Sequence, residues 1–246
     1  MNEIVYYTLS ALAVLIILTL HECAHALAAY KLGDPTAKNL GRLSLNPIKH
    51  LDPLGAICMV FFHFGWAKPV PINARNFKKP KRDFALCALA GPLTNLVFAF
   101  IFAFIYLLMF ALLKDVVFTS DFLFALVENL LLFVYLFHVI NIGIGIFNLI
   151  PIPPLDGSRI LNVVLPPKYY FGIMRYERKI YLGLSVWLAF GDFAKRALLS
   201  FSLVASNPVL AFIAGLLSLS DILGALFSVI SEAMMNFWQL IPFLKI

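Results

Sequence analysis

The stretch LTLHECAHALAAY, residues 18–30, places His21, Glu22 and His25 inside an otherwise apolar run. In a helix, residues four apart lie on one face, so the two imidazoles would project together and could bind one metal ion. Glu22 would lie beside them as a base for a neighbouring water molecule. The spacing therefore predicts a hydrolytic zinc site with two histidine ligands, which needs a third protein ligand from elsewhere in the chain.

Asp156, within PIPPLDG at 151–157, is the strongest candidate for that third ligand. The prolines interrupt a helix there, and irregular backbone at membrane depth is tolerated where it is buried in protein or lines a watery cavity. The alternatives are that Asp156 is a turn residue ahead of Gly157, and that the histidines and Glu22 form a polar cluster satisfied without metal. Ionisable side chains in an apolar span are costly and usually functional, which favours the metal site.

The composition indicates the elements that must carry these residues. Of the 246 residues, 62% are hydrophobic and 13% are charged, and the mean hydropathy is +0.91. A helix needs about 20 apolar residues to span a membrane. The candidate spans are 4–30, 84–113, 122–150, 180–199 and 207–230, with a shorter apolar tail at 234–246. We expect an all-α integral membrane protein with a bundle of about six transmembrane helices.

The whole chain, 1–246, is predicted to form one polytopic unit, with a core at about 4–160 and C-terminal helices at about 178–246. The first helix carries Glu3 where a cleaved signal peptide has basic residues, so we expect it to remain attached. Basic residues cluster after the first span and before the second, which predicts that these loops face the cytoplasm. Residues 54–66, between the two clusters, are too short to span and are predicted to be re-entrant. The net charge of +6 then reflects topology and contact with anionic lipid, and not nucleic-acid binding.

Three motifs give the chain a resemblance to the site-2 protease family of intramembrane zinc metalloproteases. HECAH at 21–25 matches the family's HExxH, NLIPIPPLDG at 148–157 matches NxxPxxxLDG, and GPLTN at 91–95 matches GPxxN. The resemblance implies one zinc ion per chain, bound by His21, His25 and Asp156. It also implies that Glu22 is the catalytic base and that Asn148 lies near the metal.

The same resemblance implies a fold, a substrate and a location. Residues 36–53 would form a small membrane-associated β-hairpin that pairs with an unwound substrate helix, and the chain would be the compact form, without PDZ or CBS domains. The substrate would be a membrane protein cut within or next to a transmembrane helix. The enzyme would lie in a bacterial-type plasma (inner) membrane, with its active site toward the cytoplasm.

Two other functions are alternatives to proteolysis. A membrane metal-ion transporter would need further ligands along a path through the bilayer, and an inactive zinc-binding relative that holds clients would not need Glu22. Other polar residues are interpreted as structural: His138, His50 and His63 as lone histidines, and Asn95, with Gly91 and Pro92, as a helix-contact motif. The cysteines Cys23, Cys58 and Cys87 show no CxxC spacing and are expected to be free buried thiols.

Overall fold

The computed structural model describes residues 2–53, 55, 67–201, 206–210 and 218–245. The described residues are helical and irregular, and they contain no strand. The helices are Glu3–Lys31 (α1), Thr36–Asn39 (α2), Pro80–Leu113 (α3), Asp121–Leu149 (α4), Asp156–Val164 (α5), Pro167–Met174 (α6), Glu177–Leu199 (α7) and Leu219–Trp238 (α8). Short 3-10 turns occur at Pro47–Lys49, Ala74–Asn76 and Pro242–Leu244.

Local sequence signals fix both ends of α1. The Asn2 side chain accepts a hydrogen bond from the backbone N–H of Ile4 at 3.0 Å and so caps the first turn. After Lys31 the chain reaches Gly33, whose φ of +107° lies in the region that glycine adopts without strain. The helix therefore ends just beyond the histidine motif and keeps the motif in its C-terminal half.

Helices α1, α3 and α4 are each long and apolar enough to cross a membrane, as judged by length and composition. They pack together through Ala13 and Ile17 of α1 and Phe137 of α4, all buried. Phe98 and Phe102 of α3 complete this cluster. The three spans predicted at 4–30, 84–113 and 122–150 are thus confirmed as helices, within a few residues at each end, and they form the scaffold of the site.

The remaining predicted spans are not confirmed, nor is the count of about six. Helix α7 covers 180–199 but carries charged residues near both ends, namely Glu177, Arg178, Lys179, Lys195 and Arg196, and it is not among the three apolar candidates. Residues 207–230 are only partly described, and the apolar helical part lies at Leu223–Trp238. That part packs on α3 and α4 through Leu223, Phe227, Ile230 and Met234.

The β-hairpin expected at 36–53 is not confirmed. Its described residues form α2 and the Pro47–Lys49 turn, and the local pairing is one isolated antiparallel bridge between Leu51 and Ala67. Proline at 47 and the Asn46 cap, which accepts from the N–H of Ile48 at 3.0 Å, favour a turn over a strand. The re-entrant segment predicted at 54–66 lies outside the described residues, apart from Gly55.

The connection from α4 to α5 brings Asp156 back toward α1. The backbone after Leu149 passes through the proline-rich stretch, and α5 begins at Asp156. A Cβ on Gly157 would lie 2.5 Å from the carbonyl oxygen of Ile150 and would also overlap that of Leu149. Glycine therefore allows α5 to start directly against the end of α4, which fixes where the Asp156 carboxylate lies.

Candidate metal centre

Three side chains predicted as ligands converge on one point. The Nε2 atoms of His21 and His25 lie 3.0 Å apart, and each lies 3.1 Å from Oδ2 of Asp156. In a tetrahedral zinc site with bonds of about 2.0 Å, neighbouring ligand atoms are about 3.3 Å apart. Among the described residues, these three form the one group of histidine, cysteine and carboxylate side chains able to hold a metal ion.

A relay of amides sets the proton position on His21. Asn141 Nδ2 donates to the backbone carbonyl of Phe137 at 2.7 Å, and Asn95 Nδ2 donates to Asn141 Oδ1 at 3.2 Å. Asn95 Oδ1 is thereby left to accept from His21 Nδ1 at 2.6 Å. A carbonyl oxygen can only accept a hydrogen bond, so the direction of every hydrogen bond in the relay is fixed. His21 therefore carries a proton on Nδ1 and can offer the lone pair of Nε2 to a metal.

His25 is oriented in the same way by the backbone of α3. Its Nδ1 donates to the carbonyl oxygen of Cys87 at 2.8 Å. The Cys87 thiol in turn donates to the carbonyl oxygen of His25 at 3.2 Å. Each imidazole therefore directs its Nε2 atom at the same carboxylate oxygen, and this arrangement is stable only if a proton or a metal ion lies between the three atoms.

Asp156, the third converging side chain, is ionised. Burial by itself raises the pKa of the Asp156 carboxyl, but when the cluster holds a proton in place of a metal ion, the positive charge on His25 and the hydrogen bonds from His21 and His25 outweigh burial and lower that pKa well below its ordinary value. The carboxylate is therefore the form present at neutral pH. Two neutral imidazoles and one carboxylate are a donor set that zinc accepts in hydrolytic sites, so the residues present fit this metal.

Close packing of α3 against α1 shapes the centre. A Cβ on Gly91 would overlap Nε2 of His25 and would lie 2.6 Å from Nε2 of His21. The GPLTN motif thus contributes more than the helix contact inferred from the sequence: Gly91 makes room for both imidazoles, and Asn95 orients one of them. The motif itself was visible in the sequence, but its register against α1 was not.

Glu22 and Asn148, the two predicted catalytic residues, both line the cavity next to the three ligands. Glu22 Oε2 accepts a hydrogen bond from the backbone N–H of Val70 at 3.2 Å. Asn148 Nδ2 donates to the carbonyl oxygen of Ile144, one turn back in α4, at 3.0 Å. Glu22 therefore has a partner outside its own helix, whereas Asn148 would have to turn away from α4 to meet a substrate.

The cavity has a volume of about 1140 Å³. Its lining comes from α1, α3 and α4, from the extended residues Pro69, Val70 and Ile72, and from residues of α5 to α7. Apolar side chains such as Val14, Leu18 and Phe147 line much of it. It can therefore accept an apolar peptide beside the three converging ligands.

The other histidines lie apart from this centre. His138 is fully buried; its Nδ1 donates to the carbonyl oxygen of Ala99 at 2.8 Å, and its Nε2 lies 3.0 Å from Ser231 Oγ. His50 Nε2 donates to the carbonyl oxygen of Ser44 at 2.7 Å. Both are structural, as predicted. Cys87 is a buried free thiol and Cys23 a half-buried one, while His63 and Cys58 lie outside the described residues.

Known proteins resemble this chain over the same region. A family model described as "Peptidase family M50" matches residues 9–170. "Putative zinc metalloprotease YwhC" of Bacillus subtilis is 45% identical over 172 residues, which cover 68% of this chain and 76% of that protein. "Zinc metalloprotease MJ0392" of Methanocaldococcus jannaschii is 26% identical over 169 residues, covering 69% of this chain but 38% of that protein. No solved structure matches the chain.

Proposed function

Because the chain belongs to peptidase family M50 and is a site-2-type zinc metalloprotease of the membrane, we propose that His21, His25 and Asp156 bind a single zinc ion in it. The observation that carries this proposal is the mutual spacing of 3.0 to 3.1 Å among three acceptor atoms. The Nδ1 protons of the two imidazoles are donated to Asn95 Oδ1 and to the carbonyl oxygen of Cys87, which supports metal ligation through Nε2.

The catalytic base in this proposal is Glu22. When bound, zinc supplies an acidified water and polarises the carbonyl of the peptide. Glu22, adjacent in sequence to one ligand, would take the proton of the attacking water and deliver it to the departing amine. Asn148 would hold the scissile carbonyl from the cavity wall after releasing the carbonyl of Ile144. The apolar lining of the cavity supports an apolar peptide as the substrate.

We propose that this peptide belongs to a transmembrane segment of a membrane protein, cut near the cytoplasmic surface of a bacterial-type plasma membrane. The site lies in the half of α1 that ends at Lys31, and the basic 68–82 region leads into α3, which supports a cytoplasmic position. Residues 4–160 would supply the catalytic core of a single protease unit. A transporter would need metal-binding groups besides His21, His25 and Asp156. In the described part of the chain, these three side chains form the single group able to hold a metal ion.

Substitution of Glu22 tests this function directly. In the Glu22→Gln protein, zinc should remain bound at the wild-type level while proteolysis stops, because the amide cannot accept the proton. Zinc is measured in the purified protein by elemental analysis. Proteolysis is measured by comparing membrane-derived peptide fragments from cells that produce the wild-type or the variant protein.

The Asp156→Ala protein is the matched control, since it should lose both zinc and proteolysis. Undiminished cleavage by the Glu22→Gln protein would exclude Glu22 as the base. Zinc content unchanged by Asp156→Ala would remove Asp156 from the ligand set.

A further inference from the structure

An extended segment, Ala67–Asn73, lines part of the cavity beside the candidate metal centre, and we call it the strap. Its backbone is neither helical nor part of a named strand. Pro69, Val70 and Ile72 of the strap line the cavity together with Glu22. The strap therefore lies where its position can affect the geometry of the proposed base.

The strap contacts Glu22 through a single backbone donor. The N–H of Val70 lies 3.2 Å from Glu22 Oε2. Proline precedes and follows Val70, and proline has no N–H, so Val70 supplies the sole backbone donor of residues 69–71. A hydrogen bond to a carboxylate restricts its rotation, and a base must lie within hydrogen-bond reach of the proton that it takes.

Both ends of the strap are held by buried charged side chains from the loop that follows α1. The Arg42 guanidinium donates to the carbonyl oxygens of Lys68 at 2.5 Å and Pro69 at 3.2 Å. At the other end, Asp34 Oδ2 accepts from the N–H of Asn73 at 2.7 Å. The Val70 donor thus lies between two anchors, and the Arg42 anchor is directly adjacent to it.

Arg42 has an unusual environment for a cation. It is 7% exposed, and in the described part of the chain its guanidinium bonds to backbone carbonyls and to no carboxylate. A buried guanidinium is costly, and both of its acceptors belong to the strap. The buried guanidinium therefore holds the strap in place next to Glu22.

We propose that Arg42 is a positioning residue for Glu22, acting through the strap and the Val70 N–H. This inference rests on the proposed function of Glu22 as the base. Arg42 does not line the cavity, so its removal should act through the strap, weakening proton transfer while leaving the metal in place. A displacement of about 1 Å in such a group can lower a rate by about 100-fold.

The test measures kcat and KM separately for Arg42→Gln. The probe is a fluorescent single-span peptide taken from the fragments that disappear in the Glu22→Gln cells. We expect kcat to fall between about 10-fold and 100-fold, KM to change by a smaller factor, and zinc content and melting temperature to stay near wild type. Arg42→Lys, which retains one cationic donor, should recover part of kcat. Arg75→Gln removes an exposed charge from the turn that follows the strap and is the matched control.

Several results would overturn the inference. These are an unchanged kcat, a rise in KM alone, or loss of zinc from the Arg42→Gln protein. If that variant does not fold, the comparison of Val70→Pro with Val70→Ala decides, because only proline removes the N–H. The proline variant should have a kcat at least about 10-fold below that of the alanine variant, and equal values would refute the role of the donor. An active Glu22→Gln protein would instead refute the proposed function itself.

Discussion

At the scale of single residues, proton positions in the candidate metal centre depend on groups other than the three converging side chains. The carbonyl of Phe137 orients Asn141, which orients Asn95, which leaves His21 with its proton on Nδ1. Partners of this kind raise ligand basicity and fix the ring orientation. Asn95 therefore belongs to the candidate metal site through His21, although its side chain does not reach the three converging atoms.

Replacing Asn95 should weaken zinc binding. In the Asn95→Leu protein, His21 loses its acceptor and its tautomer is no longer fixed, so we expect zinc affinity to fall by about 10-fold to 100-fold. The affinity is measured by competition with a chelator of known strength. Asn141→Leu, one step further along the relay, should give a smaller loss. Equal affinity in the wild-type and Asn95→Leu proteins would show that the amide relay does not act on the metal.

The sequence was sufficient to predict which three side chains converge, but not the residues that orient them. His21 and His25 lie four residues apart, so helical geometry alone places them together, and the LDG motif identified Asp156. The role of Asn95 depends on the rotation and depth of α3 relative to α1, which no local pattern contains. The contact between Val70 and Glu22 was not foreseen for a similar reason, since it joins residues 48 apart in the chain.

At the scale of elements, glycine determines how closely α3 approaches α1. Gly91 lies against both imidazoles, and any side chain there would occupy the space of the ligand atoms. Helices in membranes approach closely where such small residues meet. The position of α3 therefore decides whether both histidines can face Asp156.

A single added methyl group should disrupt this arrangement. In the Gly91→Ala protein, the new Cβ would displace His21 and His25. We therefore expect loss of zinc, measured by elemental analysis, and a lower melting temperature, measured by thermal unfolding in detergent. Gly143→Ala is the control, because a Cβ at that position in α4 meets nothing within 4 Å. Stoichiometric zinc in the Gly91→Ala protein would contradict the packing argument.

Long apolar elements could be predicted from the sequence, and short or charged ones could not. The three uninterrupted apolar stretches became α1, α3 and α4. The segment 36–53 alternates apolar and polar residues, which is compatible with a hairpin, but the local caps at Asn46 and Pro47 favour turns. In 180–199 the predicted helix forms, but charged residues near its ends shorten its apolar part, so helix formation alone does not show membrane crossing.

At the scale of the whole molecule, the apolar surface and the charges define an orientation. Large apolar side chains on α1, α3 and α4 are exposed, as expected for helices that face lipid. The loop between α3 and α4 contains Val117, which is 88% exposed. The basic residues leading into α3 lie at the opposite end of that helix, so the two loops should face opposite sides of the membrane.

This orientation can be measured with single cysteines. A membrane-impermeant thiol reagent added to intact cells should label the Val117→Cys protein and leave the Lys78→Cys protein unlabelled, because the basic loop is expected in the cytoplasm. Lysed cells should allow both to react, and the parent protein reports any labelling of its own thiols. Labelling of Lys78→Cys in intact cells would reverse the proposed orientation of the active site.

The convergence of His21 and Asp156, which are 135 residues apart, has a consequence for how the enzyme is maintained. An ion held by both α1 and α5 acts as a cross-link between distant parts of the chain, so metal loading and folding are thermodynamically coupled. Zinc depletion would then have a second effect besides loss of activity. It would loosen the junction between the two helices and expose the unloaded protein to the quality-control proteases of the cell.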